Sequence, residues 1–503
     1  MYQSRWPLTG GLLILVSTML HLSTNDAHAA EWSLLENLSL GGIYTDNVNL
    51  VENDSEFKES ELIGVVTPSI LLQGVGRRVN VDLAASLIFN TSDDNPVLPQ
   101  YRALVGTELV KNNFFFDAIA TADQGRINPF AAAGNPVVNR TDNFTTVYRY
   151  TLNPYFVSRL NGVADLRINY SYSDYLFEDD DVDPRTQQTL RASLFSPESS
   201  KVSGGLSASS RKTEYENDTS NNNTRSYIDA VLRYQFDRKW RFAGSIGTES
   251  NSGNSAEDRD NTNTSRWYLE ARWTPNSRNS FSVRHGNRFF GNYTNLDLSH
   301  QHRKSRFRLR YRTELRDPTD DLSQRNILPT TDLSGQPINP FTNGAFVQPN
   351  NFVDLTDNGA FIQDRFDAYY TLTGKKTNLE LVGQYSKQDY LDSPRETIVS
   401  RAWVQVQRGL NRTYSARTRL SWSGTEEKDD NSNTETWRFL LGLSRPFGSK
   451  SGLSFQYNFA DRESDTLGDS YRENRVSLFL NTNYQGIPGY SGGFGRGYGG
   501  VWF

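Results

Sequence analysis

The chain has 503 residues, with 53 Lys and Arg against 58 Asp and Glu, a net charge of −5, no cysteine, and 12% aromatic beside only 36% hydrophobic residues. The absence of thiols excludes a disulfide framework, a thiolate metal centre and a cysteine nucleophile, and the acidic balance argues against nucleic acid as a partner. A mean hydropathy of −0.64 suits a disordered chain, but so many rings do not; a transmembrane β-barrel explains both, because only alternate strand residues face lipid and aromatic girdles mark both interfaces.

At the start, Arg5 precedes the uncharged run PLTGGLLILVSTMLHLS, and Ala27-His28-Ala29 fits a small-x-small cleavage site. Residues 1–29 therefore read as a secretory signal peptide, with a barrel expected over 30–484. No later stretch approaches about 18 consecutive apolar residues, so helical spans are excluded.

From there, segments of alternating polarity recur to the end: VNVDLAASLIF (79–89), ADLRINYSY (164–172), YIDAVLRYQF (227–236), RWYLEARW (266–273), TYSARTRLSW (413–422) and GLSFQYNFA (452–460). Each is close to the 9–11 residues that a tilted strand needs to cross a bilayer. Short connections such as KNN (111–113), LNG (160–162) and DRK (237–239) alternate with long polar ones, including 124–143, FEDDDVDP and an insert over 317–364. That asymmetry predicts an all-β, antiparallel up-and-down transmembrane barrel of about 22 strands, with tight periplasmic turns, long extracellular loops and both chain ends on the periplasmic side. FFGNY (289–293) is the one external connection expected to be short.

The segment RFRLRYRTELR (306–316) fixes which face is which. Phe307, Leu309, Tyr311 and Leu315 share one parity and Arg306, Arg308, Arg310, Arg312 and Arg316 the other. An arginine on the lipid face near the midplane costs about 2–4 kcal/mol, so the arginines are expected to face the lumen. The same parity argument turns Arg284, Arg288, Arg417 and Arg419 inward. Such a wall either attracts anionic solutes, or pairs with lumenal carboxylates such as Asp297, Glu314, Asp367 and Glu380 and stiffens the barrel.

Other patterns carry less chemistry. The acidic clusters EDDDVDP (178–184), DPTDD (317–321) and EEKDD (426–430) lack the spacing of a calcium loop, His300 and His302 lack a third ligand, and no metal or cofactor is expected. GYSGG around Ser491 and GRGYGG (495–500) lack the strand-turn-helix setting of a nucleophile elbow or dinucleotide loop. His285 shares the parity of Phe281 and Val283, no nucleophile and base are paired, and the chain is not expected to be an enzyme. The Gly-rich stretch 485–503 is either a closing strand or an extension.

GGIYTDNVNL (41–50), VVTPSILLQGVGRRVNVDLAASL (65–87), LNPYFVSRLNGVADLRINYSY (152–172), GSIGTESN (244–251) and WYLEARWTPNSRNSFSVRHGNRFFG (267–291) resemble the outer-membrane proteins associated with the PEP-CTERM/exosortase system. The resemblance rests on an early Tyr-Thr-Asp-Asn segment and a Trp-x-Pro turn, covers most of the chain after the signal, and departs at the 317–364 insert and the Gly-rich tail. It implies a setting near exopolysaccharide export. Two functions then stand open: a pore or export conduit with an arginine-lined lumen, or a structural or adhesive barrel with a plugged lumen and matrix-binding loops. With no separate plug before the first strand, an open or loop-constricted pore is expected. The expected partners are outer-membrane lipid and lipopolysaccharide, the barrel-assembly machinery and periplasmic polysaccharide-export components.

Overall fold

In a computed structural model the described residues are 31–482, apart from 93–95, 129, 133, 198–200, 218–221, 253–261, 325–353, 392, 412, 430–431 and 448–450. The signal segment 1–29 and the Gly-rich 485–503 lie outside the described residues.

Alternation of side chains builds 22 strands in one antiparallel sheet. The first eleven are β1 (Glu31–Thr45), β2 (Glu61–Val75), β3 (Val79–Asn90), β4 (Val97–Val110), β5 (Phe114–Arg126), β6 (Phe144–Leu160), β7 (Ala164–Phe177), β8 (Arg185–Phe195), β9 (Val202–Tyr215), β10 (Asn223–Gln235) and β11 (Trp240–Ser252). The rest are β12 (Thr262–Asn276), β13 (Asn279–Arg288), β14 (Gly291–Gln301), β15 (Ser305–Arg316), β16 (Phe361–Thr373), β17 (Thr377–Tyr390), β18 (Glu396–Gly409), β19 (Ser415–Glu427), β20 (Ser432–Phe447), β21 (Ser451–Ser464) and β22 (Tyr471–Thr482). Each pairs with the next in sequence, and β1 pairs with β22, so the sheet closes on itself. Closure removes the free edge that lipid cannot solvate.

The closing ladder is short. β1 and β22 align over seven residue pairs, Ser39↔Asn481 to Thr45↔Arg475, whereas β1 and β2 align over fifteen. Below those pairs Thr482 clips the seam, its hydroxyl accepting from the Leu38 amide at 2.9 Å and donating to the Leu38 carbonyl at 3.2 Å.

Most strands run further than the polarity pattern indicates. β7 continues past residue 172 to Phe177, β19 past 422 to Glu427 and β21 past 460 to Ser464. Alternation marks only the part in lipid, while the hydrogen-bond ladder continues into the rim, where the outer face is no longer held to apolar side chains. The 317–364 insert is shorter than its sequence boundary by the same effect: β16 begins at Phe361, so 361–364 are strand. A helix, α1 (Pro318–Gln324), opens that insert. FFGNY is a tight hairpin in which only Phe289 and Phe290 lie between the strands, and Gly291 takes a φ of 110° that a side chain would disfavour. On the periplasmic side Asn112, Asn161 and Gly162 also occupy the left-handed region, with φ of 61°, 48° and 72°.

Leu62, Ile246 and Leu269 are 72%, 70% and 65% exposed on the outer face, while Asn37, Ser39, Gln363 and Ser386 on the opposite parity are buried. Trp32, Trp240 and Trp273 ring the periplasmic end and Trp267, Tyr385 and Trp437 the other, as interfacial girdles do. Leu269→Arg is expected to lower barrel stability by about 2–4 kcal/mol in liposome urea unfolding, with Tyr268→Arg on the inner face far milder; equal effects would refute the assigned parity.

Candidate functional site

The inner face follows from the strand register. On β15, Arg308 pairs with Asp297 of β14 at 2.5 Å, and Arg312 with Glu314 at 3.5 Å. Arg316, at the top of the strand, is buried and donates to Gln363 at 3.1 Å. Arg306 is exposed at the periplasmic end, 3.5 Å from Gln301. Arg310 lies over the ring of Tyr369 at 5.4 Å. On β13, Arg284 bonds Glu270 at 2.6 Å and covers Tyr268, and Arg288 bonds Glu249 at 2.8 Å. On β19, Arg419 covers Trp403 at 4.8 Å, and Arg417 stands directly across from Gln407 of β18. Asp367 instead takes Arg365 at 3.0 Å, and Glu380 takes the Trp403 indole at 2.8 Å.

Sequence patterning missed a second set of inward arginines, on β6 to β12. Arg211 of β9 and Arg225 of β10 stand directly opposite each other in the ladder, a pairing that two bare cations disfavour. The β15–β16 insert resolves it. Its first residues turn into the barrel, so that Asp320 of α1 pairs with Arg211 and Asp317 with Arg225 at 3.1 Å, Arg225 also reaching Asp320 at 3.5 Å. Arg149 of β6 donates to the Leu322 carbonyl at 3.2 Å. Leu322 and Leu355, one on each side of the insert, pack with Ile127, Val147, Tyr175 and Val182 in a buried cluster. Arg185 lies between Phe177 and Tyr215 and donates to the Leu355 carbonyl at 2.9 Å.

A second connection, 127–143, folds inward beside it. Val137 and Val138 pack against Ile43, Ile63, Val65, Ile88, Leu98 and Phe479 of the wall. Asn139 donates to Glu473 at 3.0 Å, and Arg140 bonds Glu61 at 3.1 Å. The Phe130 carbonyl accepts from Arg462, and Phe130 lies beneath Arg395, which pairs with Asp357 at 2.7 Å. The two connections meet where the Leu355 amide donates to the Ile127 carbonyl at 2.8 Å. Described portions of both thus lie across the extracellular end of the lumen. The sequence clue was apolar residues, Ile127, Val137, Val138 and Leu322, in otherwise polar loops.

Burial raises the Asp317 carboxyl above the ordinary range, and the neighbouring Asp320 charge adds to it. Burial works on Asp320 in the same direction, but Arg211, Arg225 and Arg316 outweigh it and hold Asp320 below that range. As pH falls, the docked insert first takes up a proton at Asp317 more readily than the free insert, which favours docking. The contribution of Asp320 is full above the free carboxylate value of about 3.9 and is lost only below it. Docking is therefore expected to hold or tighten in mild acid and to fail below about pH 4; current recorded from about pH 7 to about pH 3 checks this, and leakage setting in above pH 5 would contradict it.

Two of the acidic clusters supply ion partners: Asp317 and Asp320 as above, and Glu427 with Arg395 at 2.7 Å. Among the described residues no group of three or more acidic or histidine side chains is placed to hold a metal ion. His285 faces outward beside Trp267 and bonds Thr294 at 2.9 Å, and His300 bonds Asn279 at 2.6 Å. Ser491 and 495–500 lie outside the described residues.

No family model matches the sequence, and no curated protein matches it. Among solved structures, the FrpB iron transporter from Neisseria meningitidis (F5-1 variant) aligns with a TM-score of 0.52 at 10% identity, over 89% of this chain and 82% of that one. Its F3-3 variant aligns with a TM-score of 0.50 at 10% identity, over 89% and 81%. At that identity the likeness is one of fold: the chain is a large β-barrel of the outer membrane.

Proposed function

We propose that this outer-membrane barrel is a conduit for anionic solutes, constricted at its extracellular mouth by the described ends of its own β15–β16 insert, and that it serves envelope or exopolysaccharide export. The observation that carries the reading is the pairing of Asp317 and Asp320 with Arg225 and Arg211, which seats the insert in the mouth. Beneath it the wall of β15 to β20 bears Arg308, Arg310, Arg312, Arg417, Arg419 and Arg438 on its inner face. A low-dielectric wall focuses the field of those cations on whatever enters. The resemblance to the exosortase-associated barrels supports the export setting, and no catalytic role is assigned.

A structural barrel with a permanently filled lumen is the second reading, favoured by arginines already neutralised in place, such as Arg284 with Glu270 and Arg288 with Glu249. Single-channel recording on the refolded protein separates the two. The conduit predicts anion-selective current whose selectivity falls at least severalfold with Arg308→Ser, Arg310→Ser and Arg312→Ser combined. A folded barrel that passes no current even with the insert released would establish the structural reading instead.

A further inference from the structure

Two arginines of the wall make no salt bridge among the described residues, although Asp297 and Asp367 stand across the ladder from Arg310 and the charge of Glu380 is felt at Arg419. Among the described residues Arg310 and Arg419 make no hydrogen bond or salt bridge, and the Nε of each is buried without a partner. Their guanidinium groups lie over Tyr369 and Trp403, at 5.4 and 4.8 Å. Both rings are pinned at their edges. The Tyr369 hydroxyl accepts from Gln384 at 3.1 Å and faces Asp367 at 3.4 Å, while the Trp403 indole donates to Glu380 at 2.8 Å. A guanidinium stacked on a ring keeps its in-plane N–H groups for an anion.

Spacing narrows the ligand. Tyr369 of β16 and Trp403 of β18 are in register through Val382 of β17, so the two rings stand two strands apart, about 10 Å, and Arg310 and Arg419 reach over them from β15 and β19 on either side. Between them β17 supplies Gln384 and Glu380. A carboxylate placed between two cations repels a polymer charged at every unit. It suits one whose acid groups are spaced and whose intervening units offer hydroxyl donors.

We infer that Arg310 with Tyr369 and Arg419 with Trp403 form a lumenal subsite for an extended acidic oligosaccharide. The arginines take acid groups on alternate sugars, and Glu380 accepts from the hydroxyls between them, while Gln384 holds Tyr369 and Asp367 in place. The inference rests on the conduit reading, since solute must reach the lumen.

Calorimetric titration of the detergent-solubilised full barrel with a hyaluronan hexasaccharide, in which glucuronate alternates with a neutral sugar, tests it, with maltohexaose and hexagalacturonate as comparators. The alternating hexasaccharide is expected to bind well ahead of both. Arg310→Gln with Arg419→Gln should weaken it at least tenfold, and Glu380→Gln should tighten hexagalacturonate severalfold, a gain that misfolding would not produce. Equal binding of maltohexaose or hexagalacturonate to the wild type, or an unchanged double variant, overturns the subsite. Current without saccharide binding sinks the subsite and spares the conduit; the full binding pattern in a barrel that passes no current under any condition sinks the conduit and spares the subsite.

Discussion

Asp317→Asn combined with Asp320→Asn is expected to release the insert from the barrel wall. Asp317 is fully buried and Asp320 nearly so, and their partners Arg225 and Arg211 face each other across β9 and β10. Removing one side of a buried ion pair costs about 3–5 kcal/mol, because the remaining charge is stranded. The docked population should fall by roughly two to four orders of magnitude. The chain has no cysteine, so a Leu322→Cys reporter gives a clean readout: Leu322 is 2% exposed when docked, and maleimide should label the thiol only in the released form. Adding Arg211→Met and Arg225→Met to the two asparagines should restore protection, since a buried ion pair replaced by apolar groups is often neutral or better. Labelling as slow as in the reporter alone would mean that Leu322, Leu355 and the 127–143 connection hold the insert without the ion pairs.

Glu249→Ala is expected to be the most destabilising single change in the wall. Its side chain is 1% exposed; one oxygen takes Arg288 at 2.8 Å and Arg266 at 3.4 Å, and the other takes the Phe289 amide at 2.8 Å. Deletion strands Arg288 and frees the β13–β14 turn, a loss of about 3–5 kcal/mol. Arg266 keeps Asp229 at 3.1 Å, which limits the damage on that strand. Glu314→Ala is the internal control. Its partner Arg312 and Glu314 itself are 46% and 41% exposed, so the loss should be about 0–1 kcal/mol. Urea midpoints in liposomes measure both, and similar shifts would show that burial at Glu249 is not what makes it matter.

The architecture was legible because lipid imposes a rule on every second residue. Arg306 to Arg316 alternating with Phe307 to Leu315 has one tolerable register, and repetition of that constraint through the chain leads to a barrel of about 22 strands. The strand ends were not legible, because past the membrane the outer face need no longer be apolar, and the inward choice of a residue such as Ser173 is set by partners like Thr151 on the next strand. At the mouth, DPTDD read as a solvated or cation-contacting cluster. What decides its role is Arg211 and Arg225, about a hundred residues earlier, and only the closed barrel brings them within reach. The fate of each wall arginine was hidden for a similar reason. Whether it meets a carboxylate, as Arg308 meets Asp297, or a ring, as Arg419 meets Trp403, depends on register and side-chain lean between strands.

Short ladders set where the wall comes apart. Among the described residues β1 holds β22 by about half the ladder that holds it to β2. Resistance to shear scales with the number of hydrogen bonds broken together, so under heat or pulling the cylinder parts at one of its two shortest ladders, this seam of seven residue pairs or β14–β15 with six. It then unrolls as one continuous ribbon before individual hairpins separate. The β13–β14 turn tied to Glu249 is nine strands from the seam but only one from the β14–β15 ladder, so the strongest local anchor guards one of the two weak lines and leaves the other unsupported.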